Sequence, residues 1–212
     1  MYYFIDITHL NMADKQQILL IHWWDTHTSY DEFLSWLKEK SVHLEWLASR
    51  RDWKNELQFQ LWDDYIVYTP QMPNKQNAQY IEWEIMFNKL LDAIDDNFIL
   101  IGHSLWAAFV VKYLSENKIN KKIKKTMLLW TPFNGDMDGD KLTWFTREWD
   151  INNLSNQAWE LYFYHSEDDF AVPYSHVLKF QEILPEAHYR LFKDRNHFLQ
   201  WEVPELISDI IS

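Results

Sequence analysis

A serine between an apolar run and a helical pattern is the residue of this sequence best suited to catalysis. Ser104 follows the apolar run at residues 97–101 and precedes a helical pattern that begins near Ala107. A serine on a tight strand-to-helix turn has its hydroxyl lifted above the sheet, at a helix N-terminus, where it can act as a nucleophile. Gly102 is small, as the close packing of such a turn requires, but Trp106 stands where this turn normally has a second glycine. The alternative is a serine that only caps the helix.

An acidic run and a later histidine could complete a catalytic triad with Ser104. Residues 167–169 (EDD) follow the apolar run at 161–164, and His197 follows the apolar run at 189–192. A nucleophilic serine needs a base within hydrogen-bond reach, and the base needs a carboxylate that orients it. The chain order serine, acid, histidine matches that of hydrolases built on a strand-turn-helix nucleophile. Each residue of the acidic run is a candidate for the acid.

Short apolar runs alternate with helical patterns along the chain, which predicts an α/β fold. The runs lie at residues 17–22, 65–69, 97–101, 126–130, 161–164 and 189–192, and the helical patterns at 29–40, 79–94, 107–117, 175–184 and 204–211. Strands that are apolar throughout are buried on both faces, so we expect a mostly parallel sheet with helices on both sides. Ligands bind such sheets at the carboxyl ends of the strands, where the three candidate residues would meet.

Length, charge and cysteine content limit the class of protein. A chain of 212 residues fits one domain with a sizeable core. The formal net charge of −12 opposes binding to nucleic acid, and the basic run at 118–125 is interpreted as a solvated helix end. No apolar run approaches the roughly 18 residues that span a bilayer. Cysteine is absent, which excludes thiolate metal sites and fits a cytoplasmic location. We expect no nucleic-acid or membrane partner.

Two segments fit the alternating pattern poorly. Residues 1–11 precede Met12, which looks like a natural start, so they are predicted to be an N-terminal extension. The polar segment at residues 134–158 has no clear strand character and is the candidate for a small lid. The remainder is expected to form a single domain within residues 1–212, with an open site.

The motifs of this chain resemble those of the α/β-hydrolase superfamily. The resemblance extends from about Gln17 to Ile211 and rests on His22 and on the segments 68–74 (YTPQMPN), 100–105 (LIGHSL), 165–173 (HSEDDFAVP) and 194–198 (DRNHF). It is strongest to the small serine hydrolases without a large cap, the group that includes the retinoblastoma-binding serine hydrolase. It implies an α/β-hydrolase fold of about six strands, no large cap domain, and a triad of Ser104, Asp169 and His197. Asp169 is selected because the acid of this family precedes Val-Pro by three residues.

The resemblance also implies an oxyanion hole made of two backbone N–H groups. One belongs to Leu105, the residue after the nucleophile. The other lies in the loop after the first strand, where the family carries His-Gly and a further residue. This chain has His22-Trp23-Trp24 there, so the second donor would be Trp24. Removing one such donor typically lowers the rate by about 10²–10³.

Metal and nucleotide cofactors are not expected. His22, Asp25 and His27 lie close together in the sequence and could suggest metal ligands, but no second cluster with ligand spacing completes a site. His22 is better interpreted as a hydrogen-bond partner that orients its loop. The sequence has no Gly-rich phosphate-binding loop.

Glycine is scarce in this chain and tryptophan is abundant. There are 3 glycines and 13 tryptophans, although glycine usually makes up about 7% of residues. Several tryptophans stand where glycine would suit a tight turn or a close backbone approach: Trp23, Trp24, Trp62, Trp106, Trp144 and Trp159. One hypothesis is that these codons are UGA and are decoded as glycine by the source organism; the alternative is a chain that is naturally rich in tryptophan. If they are tryptophan, Trp23 and Trp106 would crowd the oxyanion hole and the nucleophile turn.

The expected function is a serine hydrolase of a bacterial cytoplasm that cleaves a small carboxylic ester without a cofactor. Ser104 would attack the carbonyl, His197 would transfer the proton, and Asp169 would orient the imidazole. Amide, thioester, perhydrolase and haloperoxidase chemistry could use the same residues. The alternative from another class is a non-catalytic binding protein of the same fold, with Trp23 and Trp106 obstructing the oxyanion hole. Sequence alone does not determine the substrate or the oligomeric state.

Overall fold

A six-stranded parallel sheet forms the centre of the fold. The computed structural model describes residues 15–23, 25–43, 51–133, 136–137, 140–141, 145, 151–198 and 200–212. The strands of the sheet are β1 (Gln16–Trp23), β2 (Tyr65–Tyr68), β3 (Phe98–Ser104), β4 (Ile123–Leu129), β7 (Ala158–Ser166) and β8 (His188–Phe192). The two-residue strands β5 (Asp136–Met137) and β6 (Asp140–Lys141) pair with each other in antiparallel fashion. All six predicted strands are thus confirmed.

The strand order places the carboxyl end of β3 at the middle of the sheet. The order is β2-β1-β3-β4-β7-β8, and every pairing in it is parallel. The chain runs from β1 outward to β2 and then returns past β1 to β3, so the direction of winding reverses between β1 and β3. Open α/β sheets bind ligands at such a reversal, outside the carboxyl ends of the strands. The residues that follow β3, β7 and β8 all lie at this edge.

Helices cover both faces of the sheet, as predicted. They are α1 (Tyr30–Glu39), α2 (Trp53–Gln60), α3 (Tyr80–Ala93), α4 (Leu105–Glu116), α5 (Asn152–Gln157), α6 (Ser175–Ile183) and α7 (Pro204–Ile211). Buried side chains of α3, α4, α5 and α6 form one apolar core, and those of α2 and α7 form a second core on the opposite face. Among the described residues, no helix has the length and hydropathy needed to cross a membrane.

Two helices are absent from the sequence-based prediction. Helix α2 covers one face of the sheet through Trp53 and Leu57. Helix α5 lies inside the segment 134–158, for which no helix is predicted. Most of that segment and the predicted extension at residues 1–11 lie outside the described residues. The lid and the extension therefore stay predictions.

The interpretation of the basic run at 118–125 as a solvated helix end is wrong for its last residue. Strand β4 begins at Ile123, inside the run, and Lys125 is 1% exposed. Its Nζ donates to the backbone oxygen of Asp209, at 2.7 Å, and to the Ser212 hydroxyl, at 3.0 Å. Burial lowers the pKa of Lys125. Lys125 thus links the C-terminal end of α7 to β4, in the middle of the sheet.

Asp209 joins helix α7 to strands β7 and β8. Its carboxylate is nearly buried and accepts hydrogen bonds from Arg190 Nε and Nη2, at 2.8 and 2.5 Å, and from the Tyr164 hydroxyl at 2.9 Å. Burial by itself would raise the pKa of Asp209, but the hydrogen bonds from Arg190 and Tyr164 outweigh it and hold the pKa below its ordinary value. The ionised form of Asp209 therefore stabilises the folded chain.

We expect Asp209→Ala to lower the free energy of unfolding at pH 7 by about 2–4 kcal/mol, because it leaves Tyr164 and Arg190 without their acceptor. A carboxyl group whose pKa is lower in the folded state contributes its stabilisation above the unfolded pKa, near 4, and loses it as the pH falls through the folded value. The variant should therefore lose less stability than the parent on acidification. Urea unfolding at pH 7 and pH 3 measures both effects. Asp63→Ala, at an exposed position, is the control. If Asp209→Ala and Asp63→Ala had the same free energy of unfolding, the stabilising role of the Asp209 carboxylate would be contradicted.

Candidate active site

Ser104 lies on a strained turn between β3 and α4. Its backbone has φ 59° and ψ −127°, and the residue is 7% exposed. A positive φ is uncommon for a residue other than glycine and costs on the order of 1–3 kcal/mol. The Ser104 side chain accepts no capping hydrogen bond from the backbone N–H groups of the first turn of α4, a helix that the structure describes in full. The alternative of a simple N-cap serine is therefore not supported.

Close packing of β3 against α4 holds this turn in place. A Cβ atom at Gly102 would lie 3.0 Å from the Cα of Ala107 and 3.2 Å from its nitrogen, closer than real Cβ atoms normally approach backbone. A side chain at this position would require the strand or the first turn of α4 to shift by a few tenths of an ångström. The close approach agrees with the prediction of a small residue at Gly102.

Asp169 and His197 are joined by a hydrogen bond across two neighbouring loops. His197 Nδ1 lies 3.0 Å from Oδ2 and 3.1 Å from Oδ1 of Asp169, whose side chain is fully buried. Oδ1 also accepts from the backbone N–H groups of Ala171, at 2.7 Å, and Val172, at 2.9 Å. Because a carboxylate only accepts, Nδ1 carries the hydrogen and Nε2 is left as an acceptor. The imidazole is thus held in the tautomer of a general base.

Asp168 contacts the backbone of the histidine loop instead of the histidine ring. Its Oδ1 accepts from the Asn196 N–H at 2.7 Å and from the Ser166 hydroxyl at 2.5 Å. The Ser166 oxygen in turn accepts from the Arg195 N–H at 3.0 Å. The hydrogen bond from Ser166 is the main cause that lowers the pKa of Asp168. Of the two neighbouring aspartates, Asp169 contacts the His197 ring, and Asp168 contacts the backbone of the loop that precedes His197.

The loop with His197 bends back onto the strand that ends at Ser104. Asn196 has φ 51°, as the sequence predicts for a left-handed turn, and its Oδ1 accepts from the His197 N–H at 2.8 Å. His103 Nε2 lies 3.4 Å from the backbone oxygen of His197, and the two rings are 5.0 Å apart. The histidine loop therefore packs against the residue directly before Ser104.

Of the two predicted oxyanion donors, Leu105 lies within the described residues and Trp24 does not. Leu105 is the first residue of α4, so its N–H has no acceptor within the helix and lies at the positive end of the helix dipole. Trp24 lies outside the described residues. The backbone of Trp23 is described, and it lies opposite Ser104 in the parallel register of β1 and β3.

The Trp106 indole is packed in the core between α3 and α4. It is fully buried, and its ring lies 4.3 Å from that of Phe109, 4.9 Å from that of Trp83 and 5.7 Å from that of Phe87. Its backbone is helical. The sequence predicts that Trp106 crowds the nucleophile turn. In the structure its indole lies on the core side of the turn, against Gly102 and within the aromatic cluster.

Two further residues near His197 are not identified by sequence reasoning. Phe170 is 64% exposed, and its ring lies 5.8 Å from that of His197. Trp130, directly after β4, is fully buried with its ring 6.2 Å from that of His197. Both residues follow strands at the carboxyl edge of the sheet, where ligands bind. Their position after a predicted strand could have identified them from the sequence.

Comparisons with known proteins agree on the fold. No protein-family model matches the sequence, and no curated protein matches it. Among solved structures, the ydeN gene product from B. subtilis superposes with a TM-score of 0.68 at 18% identity, over 93% of this chain and 97% of that one. A bromoperoxidase from Bacillus anthracis gives 0.62 at 15% identity, over 93% and 91%. A meta-cleavage product hydrolase from Pseudomonas fluorescens IP01 gives 0.62 at 12% identity, over 93% and 89%.

These similar structures are α/β-hydrolase-fold proteins, and their coverage includes nearly the whole chain. The six-stranded parallel sheet and the helices on both of its faces agree with this fold. The chain has the α/β-hydrolase fold, and no cap domain occurs among its described residues.

Proposed function

We propose that this protein is a serine hydrolase that cleaves a small carboxylic ester through an acyl-enzyme. The observation that carries the proposal is the bond between His197 Nδ1 and the buried Asp169 carboxylate, on a loop that packs against the end of β3. It supports an oriented base on a loop that packs against His103, the residue before Ser104 on the strained turn. Backbone strain of this kind is typical of functional sites.

In the first half-reaction, Ser104 Oγ attacks the ester carbonyl carbon while His197 Nε2 removes its proton. Asp169 stabilises the imidazolium that forms. The tetrahedral intermediate then collapses, the C–O bond to the alcohol breaks, and His197 returns the proton to the departing oxygen. In the second half-reaction, His197 takes a proton from water as its oxygen attacks the acyl carbon. The bond between that carbon and Ser104 Oγ then breaks, and His197 returns the proton to Oγ, which releases the carboxylic acid and free Ser104. Atoms and protons balance without a cofactor.

Negative charge develops on the carbonyl oxygen in both half-reactions. The N–H of Leu105 is positioned to stabilise it, since it starts α4 directly after the nucleophile. The backbone of Trp24 would supply the second donor, as the sequence predicts. A preorganised pair of donors stabilises this charge without having to reorganise during the reaction.

The surroundings of His197 favour a substrate with an apolar group. The Phe170 side chain presents exposed aromatic surface beside the imidazole. An apolar acyl or alcohol group that covered this ring would gain roughly 25 cal/mol per Å² of apolar surface removed from water. The same fold occurs in solved proteins described as a thioesterase domain and a bromoperoxidase, so the fold itself does not select the ester.

We expect a fluorophosphonate probe to label the folded protein, and Ser104→Ala to abolish the labelling, because the probe reacts only with an activated serine. Ser115→Ala is a matched control, since Ser115 is buried on α4 and its hydroxyl donates to the Val111 backbone oxygen. This control should label like the parent. Labelling that persists in Ser104→Ala, or a well-folded parent that does not label, would contradict the proposal.

The two neighbouring aspartates offer a matched pair of variants. Asp169→Asn should lower kcat for p-nitrophenyl acetate by about 10³–10⁴, because the amide favours the wrong imidazole tautomer. Asp168→Asn keeps an oxygen acceptor for the Asn196 N–H and should lower kcat less than tenfold, as expected for a residue that acts through the loop. Steady-state kinetics of both variants, with far-UV circular dichroism as the folding control, make the test. The reverse order of effects would identify Asp168 as the acid.

A further inference from the structure

Two tryptophans occupy backbone conformations that suit glycine. Trp62 has φ 56° and Trp130 has φ 51°. The other described non-glycine residues with positive φ are Asn74, Asn97, Asn196, Ser104 and Phe198. Asparagine tolerates this conformation and Ser104 is the proposed nucleophile, but for a bulky aromatic residue it is an outlier, because Cβ approaches the following carbonyl oxygen.

Trp62 stands at the position after a helix end where glycine is most common. Helix α2 ends at Gln60, and the Leu61 N–H donates to the Leu57 carbonyl oxygen. Trp62 is the next residue, the C′ position, which adopts the left-handed conformation and is usually glycine. Its indole is 72% exposed and gains little from packing. Among the described residues, no hydrogen bond or ring contact of this side chain compensates for the unfavourable backbone.

Trp130 is overpacked beside the histidine loop. Its ring centroid lies 3.5 Å from that of Phe198, at an interplanar angle of 53°. Tilted aromatic pairs normally keep their centroids 4.5–7 Å apart. The indole is fully buried, and its Nε1 has no hydrogen-bond partner among the described residues. Phe198, which follows His197, is itself held at φ 50°.

Trp53, Trp83, Trp106 and Trp159 show no conflict of backbone conformation, although the buried Nε1 atoms of Trp53 and Trp106, like that of Trp130, have no hydrogen-bond partner among the described residues. Trp53 and Trp83 are helical, and Trp83 Nε1 donates to the Pro73 oxygen at 2.9 Å. Trp106 is helical and Trp159 lies in strand β7 with most of its side chain exposed. The backbone therefore gives no reason for glycine at Trp106 or Trp159, contrary to the sequence-based hypothesis. It supports glycine at Trp62 and adds Trp130, which that hypothesis does not include.

We infer that the codons for Trp62 and Trp130 specify glycine in the cell that carries this gene. UGA is read as tryptophan in some genetic codes and as glycine in others, so one reassigned codon accounts for both positions. Glycine at these two positions would change the composition from 3 glycines and 13 tryptophans to 5 and 11, in the direction of ordinary usage. The protein that functions in that cell then has a glycine cap after α2 and an uncrowded Phe198 behind His197.

Thermal unfolding of recombinant variants tests the conformational requirement. Alanine keeps the Cβ atom and glycine removes it, so comparing the two at one position separates backbone strain from the loss of the indole. We expect Trp62→Gly to melt about 2–4 °C above Trp62→Ala, and Trp130→Gly to melt above Trp130→Ala by a similar amount. At the control position in β7, Trp159→Gly should melt below Trp159→Ala, since glycine weakens a strand. Glycine variants that melt at or below their alanine partners at positions 62 and 130 would overturn the inference.

Peptide mass spectrometry of the protein from its own cells tests the decoding directly. Trypsin should release residues 55–75, 126–141 and 76–89, which contain Trp62, Trp130 and Trp83 respectively as their only tryptophan. We expect the first two peptides to have masses that correspond to glycine and the third to retain tryptophan. Tryptophan in the first two peptides, or UGG codons at these positions, would overturn the inference even if glycine stabilises the recombinant chain.

Discussion

A buried carboxylate is the constraint on which the rest of the site depends. The Asp169 side chain is excluded from solvent, so its charge must be balanced by hydrogen bonds from the protein. The donors are the N–H groups of Ala171 and Val172, one turn further along the chain, and the His197 ring on the next loop. The first two fix the carboxylate, and the carboxylate then fixes the imidazole. A histidine loop that moved away would leave the charge under-compensated, which keeps the two loops together.

The sheet makes this arrangement possible. Because β7 and β8 are parallel neighbours, the loops that follow them start side by side at the carboxyl edge. Ser166, the last residue of β7, and Asp168 add a second connection to the backbone that precedes His197. Two strands away from β7 in the sheet, the turn after β3 is held by the close approach of Gly102 to α4. The proposed nucleophile and base therefore come from separate elements, each fixed by its own local packing.

Sequence patterns predicted the six strands, because these depend on local hydrophobicity. Motif spacing also singled out Asp169 and His197, which the structure joins by a hydrogen bond, whereas the catalytic role of Ser104 stays a prediction. Sequence patterns gave wrong or missing predictions where contacts between distant parts of the chain determine the burial of a residue or the position of a helix. Lys125 belongs to a run that looks solvated, but α7 covers it and supplies its acceptors. Helix α2 has little apolar periodicity and is fixed by two residues that pack on the sheet. The distinct tasks of Asp168 and Asp169 also required coordinates, because both are acidic neighbours in one motif. At Trp130, the conflict with Phe198 exists only in three dimensions.

In the proposed mechanism, Ser104 forms a covalent acyl intermediate with the help of the Asp169–His197 pair. This intermediate can be trapped. The protein would be mixed with excess p-nitrophenyl acetate, quenched in acid within the first turnover and digested for peptide mass spectrometry. We expect one acetyl group per chain, on Ser104. An acetyl group only on another residue, or release of p-nitrophenol at the same rate by the parent and by Ser104→Ala, would contradict it.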